Sequence, residues 1–290
     1  MIAHHFTVDV EEHFQVSAFE PFVKRADWDQ HPSRVVANTE WLLQLLADAG
    51  ARGTFFILGW VAERQPALVK AIAAAGHEIA SHGWDHQRVT HLTPDEFRDQ
   101  ARRSRRFLED LGGTRVMGYR APSYSIVRGR EWALDILVEE GYRYDSSLFP
   151  VTRPGYGYSA GGRDPYWLER GPGKLGEIPP ATLRVAGANL PAAGGAYFRL
   201  FPYALVAAGL RQAAERGMPA TFYLHPWEVD PEQPRLSVPL STRIRHYGGL
   251  GLVKDRLRRL VKDFRFTSIA EGVGFGARGE GTPALAADQG

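Results

Sequence analysis

Two histidines four residues apart, His82 and His86, and two carboxylates two residues apart, Asp9 and Glu11, are the residues of this 290-residue chain whose types and spacing could do chemistry. A four-residue spacing puts two imidazoles on one side of a helical turn, a common way of presenting two nitrogens to one divalent cation. Such a pair also occurs as a surface or capping feature, so a metal site needs a third ligand. Asp9 and Glu11 alternate with Val8 and Val10, and alternate residues of a strand share a face, so both carboxylates should point the same way. One can then bind a metal while the other stays free. Glu12 and His13 follow at once, and one strand face cannot hold all four groups. Whether Glu11 or Glu12 is the acidic ligand is open at this point.

A bound cation with an open position can polarise a carbonyl and lower the pKa of its water, while a free carboxylate nearby takes the proton. Amide hydrolysis also needs a proton for the leaving amine, and His225 is a suitable acid in its protonated form. Arg120 could pair with Asp9 and keep it ionised, or form an ordinary salt bridge. The chain has no cysteine, which excludes disulfides, thiolate ligands and a cysteine nucleophile, so any metal must rest on histidines and carboxylates. Lys plus Arg is 35 against 33 for Asp plus Glu, and a formal net charge of +2 supplies no electrostatic ground for a nucleic-acid partner.

The elements that must position these groups read as short apolar runs alternating with helical patterns, the signature of repeated β-α units and a mainly parallel sheet. Strands are expected at Phe6–Val10, Thr54–Leu58, His77–Ala80, Val116–Tyr119 and Ala220–Leu224. Helices are expected at Val35–Ala49, Pro66–Ala75, from Thr93 as cap through Leu111, at Glu131–Glu140, at Tyr203–Arg216 and, basic and amphipathic, at Leu252–Phe264. In parallel α/β architectures functional groups collect at the carboxyl ends of strands, and Asp9, Glu11, His82, His86, Arg120, Asp145 and His225 all fall there. Residues 150–195 are rich in Gly and Pro and predict long irregular connections with some β-structure around Glu177–Val185.

With 44% hydrophobic side chains the chain can bury one sizeable core, and a single domain over residues 1–275 is expected, followed by a disordered tail at 276–290. The N-terminus lacks the basic start and apolar run of a signal peptide, and no window approaches the ~18 apolar residues of a membrane helix. A cytoplasmic protein without a membrane span is the resulting expectation.

Several segments, in order, resemble the motifs of the NodB-type polysaccharide deacetylases, carbohydrate esterase family 4, in the branch found near exopolysaccharide and exosortase loci. Thr7-Val8-Asp9-Val10-Glu11-Glu12 is similar to the first motif, and the resemblance implies Asp9 as catalytic base and Glu11 as metal ligand. Ser81-His82-Gly83-Trp84-Asp85-His86 is similar to the second, which implies both histidines as ligands. Arg120-Ala121-Pro122-Ser123 resembles the third, which implies that Arg120 orients the base and that the Ser123 amide donates to the oxyanion. Tyr144-Asp145-Ser146-Ser147 falls where the fourth belongs, without its second Asp and Trp. Leu224-His225-Pro226-Trp227 resembles the fifth, which implies His225 as general acid. Val10 stands where the commoner first motif has a second aspartate, so the acidic ligand passes to Glu11.

The resemblance covers about 220 residues. It implies a distorted (β/α) barrel of the NodB type, an N-acetylated saccharide as substrate, and a C-terminal extension from about 228 that includes Arg243, Arg245 and His246. It also implies one divalent metal. Zinc suits two histidines and a carboxylate best, and cobalt, nickel or manganese fit the same ligands. Tyr124 and Trp227 are candidate substrate contacts with Ser123 and Asp145, and Trp84, Tyr158, Tyr166 and Trp167 could also stack on sugar rings or pack in the core. The competing readings are an allantoinase-like hydrolase of a small amide and a non-catalytic carbohydrate-binding relative.

Overall fold

A computed structural model describes residues 2–153 and 155–274; the expected tail at 276–290 lies outside the described residues. Eleven strands are described: β1 (Ala3–Val10), β2 (Thr54–Ile57), β3 (Glu78–Ser81), β4 (Gly118–Tyr119), β5 (Tyr144–Asp145), β6 (Tyr166–Arg170), β7 (Gly173–Glu177), β8 (Thr182–Val185), β9 (Ala188–Pro191), β10 (Thr221–Leu224) and β11 (Arg265–Thr267). The helices are α1 (Val35–Asp48), α2 (Gly59–Arg64), α3 (Pro66–Ala74), α4 (Pro94–Gly112), α5 (Trp132–Glu139), α6 (Gly195–Leu200), α7 (Tyr203–Glu215), α8 (Leu240–Tyr247), α9 (Val253–Asp263) and α10 (Ile269–Val273).

The main sheet runs β10-β1-β2-β3-β4-β5-β7-β6, all parallel except the β6–β7 hairpin, and β11 joins the start of β1. The expected alternation of strands and helices is thus observed. Parallel bridges from Pro180 to Thr221 and from Gly194 to Tyr223 carry the chain beyond β7 back to β10, so the path curls round toward its own beginning. The two faces of the strands pack differently. Val8, Val10, Phe55, Ile57 and Ile79 pack with the apolar sides of the helices in the large core, whereas Phe56, Ala80, Met117 and Tyr144 form a separate inner cluster with α10. Alternation of side chains along each strand produces this division.

Local chemistry sets the helix ends. Thr93 caps α4, accepting from the Glu96 amide while the Glu96 carboxylate accepts from the Thr93 amide, with Pro94 in the first turn. The start of α1 is capped from outside: the Glu12 carboxylate accepts from the Arg34 and Val35 amides and the Ser33 hydroxyl. β1 ends at Val10, so strand alternation no longer governs Glu12, and its carboxylate is used on this helix.

Residues 150–195 are more regular than their composition suggests, holding the β6–β7 and β8–β9 hairpins. α2, α6, α8 and α10 were not apparent from sequence periodicity, because five- to eight-residue helices span too few turns to show it.

Candidate metal centre and catalytic pocket

The carboxyl ends of β1, β3, β4 and β10 converge on one cavity of about 340 Å³, lined by Asp9, Glu11, His82, His86, Ser123, Tyr124, His225 and Trp227 among others. Asp145 is not among the lining residues. It is fully buried, accepting from the Ser147 amide and hydroxyl, and the Ser147 hydroxyl in turn accepts from the Ala121 amide, so it braces the segment that carries Ser123. Burial raises both the Asp145 and Glu177 carboxyls, Glu177 further because Asp145 lies beside it.

Glu11, His82 and His86 each offer a ligand atom within 4.8 Å of one another and could hold a metal ion. Glu11 Oε2 lies 2.9 Å from His86 Nε2 and 4.0 Å from His82 Nε2, is buried, and accepts no hydrogen bond. A buried carboxylate oxygen without a partner is costly, and a cation there would satisfy it. The His82 Nδ1 faces the Arg120 carbonyl at 2.8 Å, which directs its Nε2 to the cluster. Burial lowers the His82 pKa to about 4, so the ring is neutral and its nitrogen free to ligate. Burial alone would raise Glu11, but the surrounding His86, His225 and His82 bring it down to about 2. These residues fit a divalent cation bound through two nitrogens and one oxygen.

Asp9 stands beside this cluster and outside it. Its Oδ1 accepts from Arg120 Nη1 at 2.7 Å, and its Oδ2 lies 3.9 Å from His225 Nε2. Arg120 has no exposed surface; Nη1 also donates to Thr7 Oγ1 and Nη2 to Ser146 Oγ, while its guanidinium lies 4.1 Å from the Phe56 ring centre. A buried ion pair needs such additional hydrogen bonds to offset its desolvation. Ser123 and Tyr124 both adopt left-handed backbone, at φ 56° and 54°. For residues with a Cβ this conformation costs of order 1 kcal/mol or more each, and strain of that kind concentrates where an amide must be aimed.

His225 closes the cavity from the β10 side. Its Nδ1 lies 2.7 Å from Glu228 Oε1, and the other oxygen of Glu228 accepts from Arg199 Nε at 2.6 Å. Burial opposes protonation, but Glu11, Glu228 and Asp9 outweigh it and raise His225 to about 9. Sequence reasoning missed Glu228 and Arg199. Glu228 lies three residues beyond His225 on the turn opened by Pro226, a spacing that could have found it, whereas Arg199 sits in α6 with no local signal. Trp227 donates Nε1–H to Glu11 Oε1 at 3.1 Å and stacks between His225 and His246. Of the other aromatic candidates, Trp84 is buried against Gly59 with Arg103 over its face, and neither it nor Tyr158, Tyr166 or Trp167 lines the cavity. Tyr156, Tyr197 and Tyr223 do.

The curled parallel α/β sheet thus gathers a Glu-His-His cluster, a buried carboxylate–arginine pair and a late histidine at its strand ends. Residues 27–144 match the family model described as polysaccharide deacetylase. Residues 146–273 match a model described as a domain of unknown function (DUF3473).

Among curated proteins, the chain is 37% identical over 109 residues to a peptidoglycan deacetylase-like protein of Gibberella zeae, covering 37% of this chain and 31% of that protein. It is 33% identical over 98 residues to a peptidoglycan-N-acetylglucosamine deacetylase of Bacillus cereus, covering 33% and 36%. The matched stretches thus span about a third of these relatives. Two solved structures share the fold over nearly the whole chain: a candidate polysaccharide deacetylase from Mycobacterium smegmatis (TM-score 0.63, 22% identity, 99% of this chain and 94% of that one) and the Puue allantoinase (TM-score 0.62, 17% identity, 96% and 89%).

Proposed function

We propose that this chain is a metal-dependent hydrolase that removes N-acetyl groups from an amino-sugar polysaccharide or its precursor. The observation that carries the reading is the placement of Asp9 and His225 beside the Glu11, His82 and His86 cluster, with His225 Nε2 3.9 Å from Asp9 Oδ2 and 3.7 Å from Glu11 Oε1 in one cavity. The names of the relatives matched by the first part of the chain support the saccharide. A divalent cation held by Glu11, His82 and His86 would supply Lewis acidity toward the amide carbonyl and acidify a water. Asp9, fixed through one oxygen by Arg120, uses its other oxygen to take the proton of the attacking water. The Ser123 amide donates to the developing oxyanion, and the buried Tyr124 hydroxyl, which has no partner among the described residues, is a further donor to substrate. His225 gives its Nε2 proton to the leaving amine, with Glu228 receiving Nδ1–H and stabilising the charged ring.

Acetate release from N-acetylglucosamine oligomers by chelator-stripped protein, with and without added zinc, tests the proposal. Zinc-dependent acetate supports it. A second reading, hydrolysis of a small amide, draws on the fold shared with the allantoinase along nearly the whole chain, and turnover of allantoin without acetate release would favour it.

The acid role makes a pH prediction. A group raised to about 9 is protonated below that pH, so turnover should fall as the pH rises toward and beyond 9. A cation on Glu11 offsets part of the raising charge and moves this limb lower. Replacing Glu228 by Gln keeps an acceptor for Nδ1–H and removes the charge. The alkaline limb of kcat/KM should then move about one unit or more toward the ordinary histidine value. An unshifted limb would show that another group titrates there.

A further inference from the structure

The four large hydrophobic side chains most exposed among the described residues are Leu240 at 69%, Ile244 at 57%, Leu252 at 53% and Phe22 at 49%. Three of them, Leu240, Ile244 and Phe22, lie on segments that also contribute lining residues to the cavity. Leu240 and Ile244 lie four apart on α8, hence on one face, and the only buried residue of that helix is His246. Arg245 and His246 of the same helix line the cavity. Phe22 belongs to the loop Ser17–Val23, whose Ser17 and Ala18 also line it, and Phe19 of that loop packs on the rings of His246 and Tyr247. On the other side Leu200, itself exposed, packs against Gly248 at the end of α8: a Cβ there would lie 2.8 Å from its Cδ2. Exposed apolar side chains therefore stand on the outer side of segments that border the cavity.

The same stretch is strongly basic. Between Arg235 and Lys262 the chain carries six arginines and two lysines against one acidic residue, Asp255, although its formal net charge is only +2. Arg243 and Arg245 flank Ile244, are exposed, and pair with no carboxylate among the described residues. α9, which has the clearest amphipathic pattern in this stretch, turns Val253, Leu257 and Leu260 into the core, so its apolar stripe is already covered. The apolar side chains of α8 have no such cover. Exposed aliphatic and aromatic tips interleaved with unpaired arginines are complementary to an anionic bilayer surface, where the tips enter the headgroup region and the guanidiniums meet lipid phosphates.

We propose that the cavity rim built by the Ser17–Val23 loop and α8 docks on an anionic lipid bilayer, so that the site faces the membrane and takes its saccharide from that surface. The docking stands apart from the deacetylase reading; only the identity of what enters the cavity rests on it.

Flotation of the full chain with vesicles of phosphatidylcholine, with and without one third phosphatidylglycerol, tests the docking without any assay of turnover. The expected result is binding to the anionic vesicles at least about 10-fold above the zwitterionic ones at low salt, declining as salt is raised. Leu240→Ser with Ile244→Ser should lower that binding by about 10-fold or more, at unchanged melting temperature and unchanged acetate release from soluble oligomers. Arg243→Glu should lower it as well. No binding to the anionic vesicles, or a double variant that binds as the parent does, overturns the proposal. So does a parent chain that elutes as a dimer and becomes monomeric in the double variant, which would assign the face to a second copy.

Discussion

Asp9→Asn should reduce acetate release by about 10²- to 10⁴-fold, the scale expected when a positioned general base is lost, while leaving metal content unchanged. The two halves of this expectation come from the same geometry. Asparagine is nearly the same size and keeps an oxygen for Arg120 Nη1, now 2.7 Å from Asp9 Oδ1, so the buried guanidinium retains an acceptor and the fold should persist. Its amide cannot take a proton from water. The metal-type cluster is made of Glu11, His82 and His86 without Asp9, so the affinity for zinc should stay within a few-fold of the parent. Acetate release measured beside zinc content decides the matter. An active Asp9→Asn protein would remove Asp9 from the mechanism, and an inactive one that has also lost zinc would make Asp9 a ligand.

His82→Ala should lose both metal and activity. It removes the Nε2 facing Glu11 and leaves a single histidine and a carboxylate, too few for a tight structural or catalytic site. The consequence extends to stability, because Glu11 Oε2 is buried without a hydrogen-bond partner and a cation answers that deficit. For the parent, zinc at about 100 times its Kd should add about 2.7 kcal/mol to unfolding stability, and for His82→Ala close to none. Urea unfolding with and without zinc measures this independently of turnover. Equal zinc stabilisation in both proteins would place the metal elsewhere, whatever the activity does.

Much of this site was legible in the sequence for a physical reason: its information is local. The capping box at Thr93 and Glu96 and the alternation of Asp9 and Glu11 with valines depend on helix and strand periods that a short segment expresses, whereas His82 and His86 lie on an irregular turn after β3, with Gly83 at φ 79° and His86 at φ 55°, and not on the helical turn that their spacing suggests. The β-α alternation then places those segments at strand ends, and the strands observed at Ala3–Val10, Thr54–Ile57 and Thr221–Leu224 lie within three residues of their expected limits. Less could be read from residues 150–195, where glycine and proline mask two hairpins whose pairing is decided across the sheet.

What the sequence by itself determined is therefore the inventory and its grouping: an α/β chain with a carboxylate pair, two spaced histidines, an arginine and a late histidine, all at strand ends. Only the tertiary structure decided which neighbour does what. Glu11 and Glu12 are adjacent and chemically alike, yet β1 ends between Val10 and them, so one carboxylate faces the histidines and the other caps α1. Asp145 sits at a strand end like the others, but its oxygens turn to Ser147 and it braces the Arg120–Ser123 segment from behind. Glu228 and Arg199 meet only because α6 packs beside the turn after β10, a contact 29 residues apart in the chain, and the other oxygen of Glu228 faces His225 Nδ1. Local periodicity specifies the direction of a side chain within its element, whereas the partner it finds depends on how elements distant in the chain pack against one another.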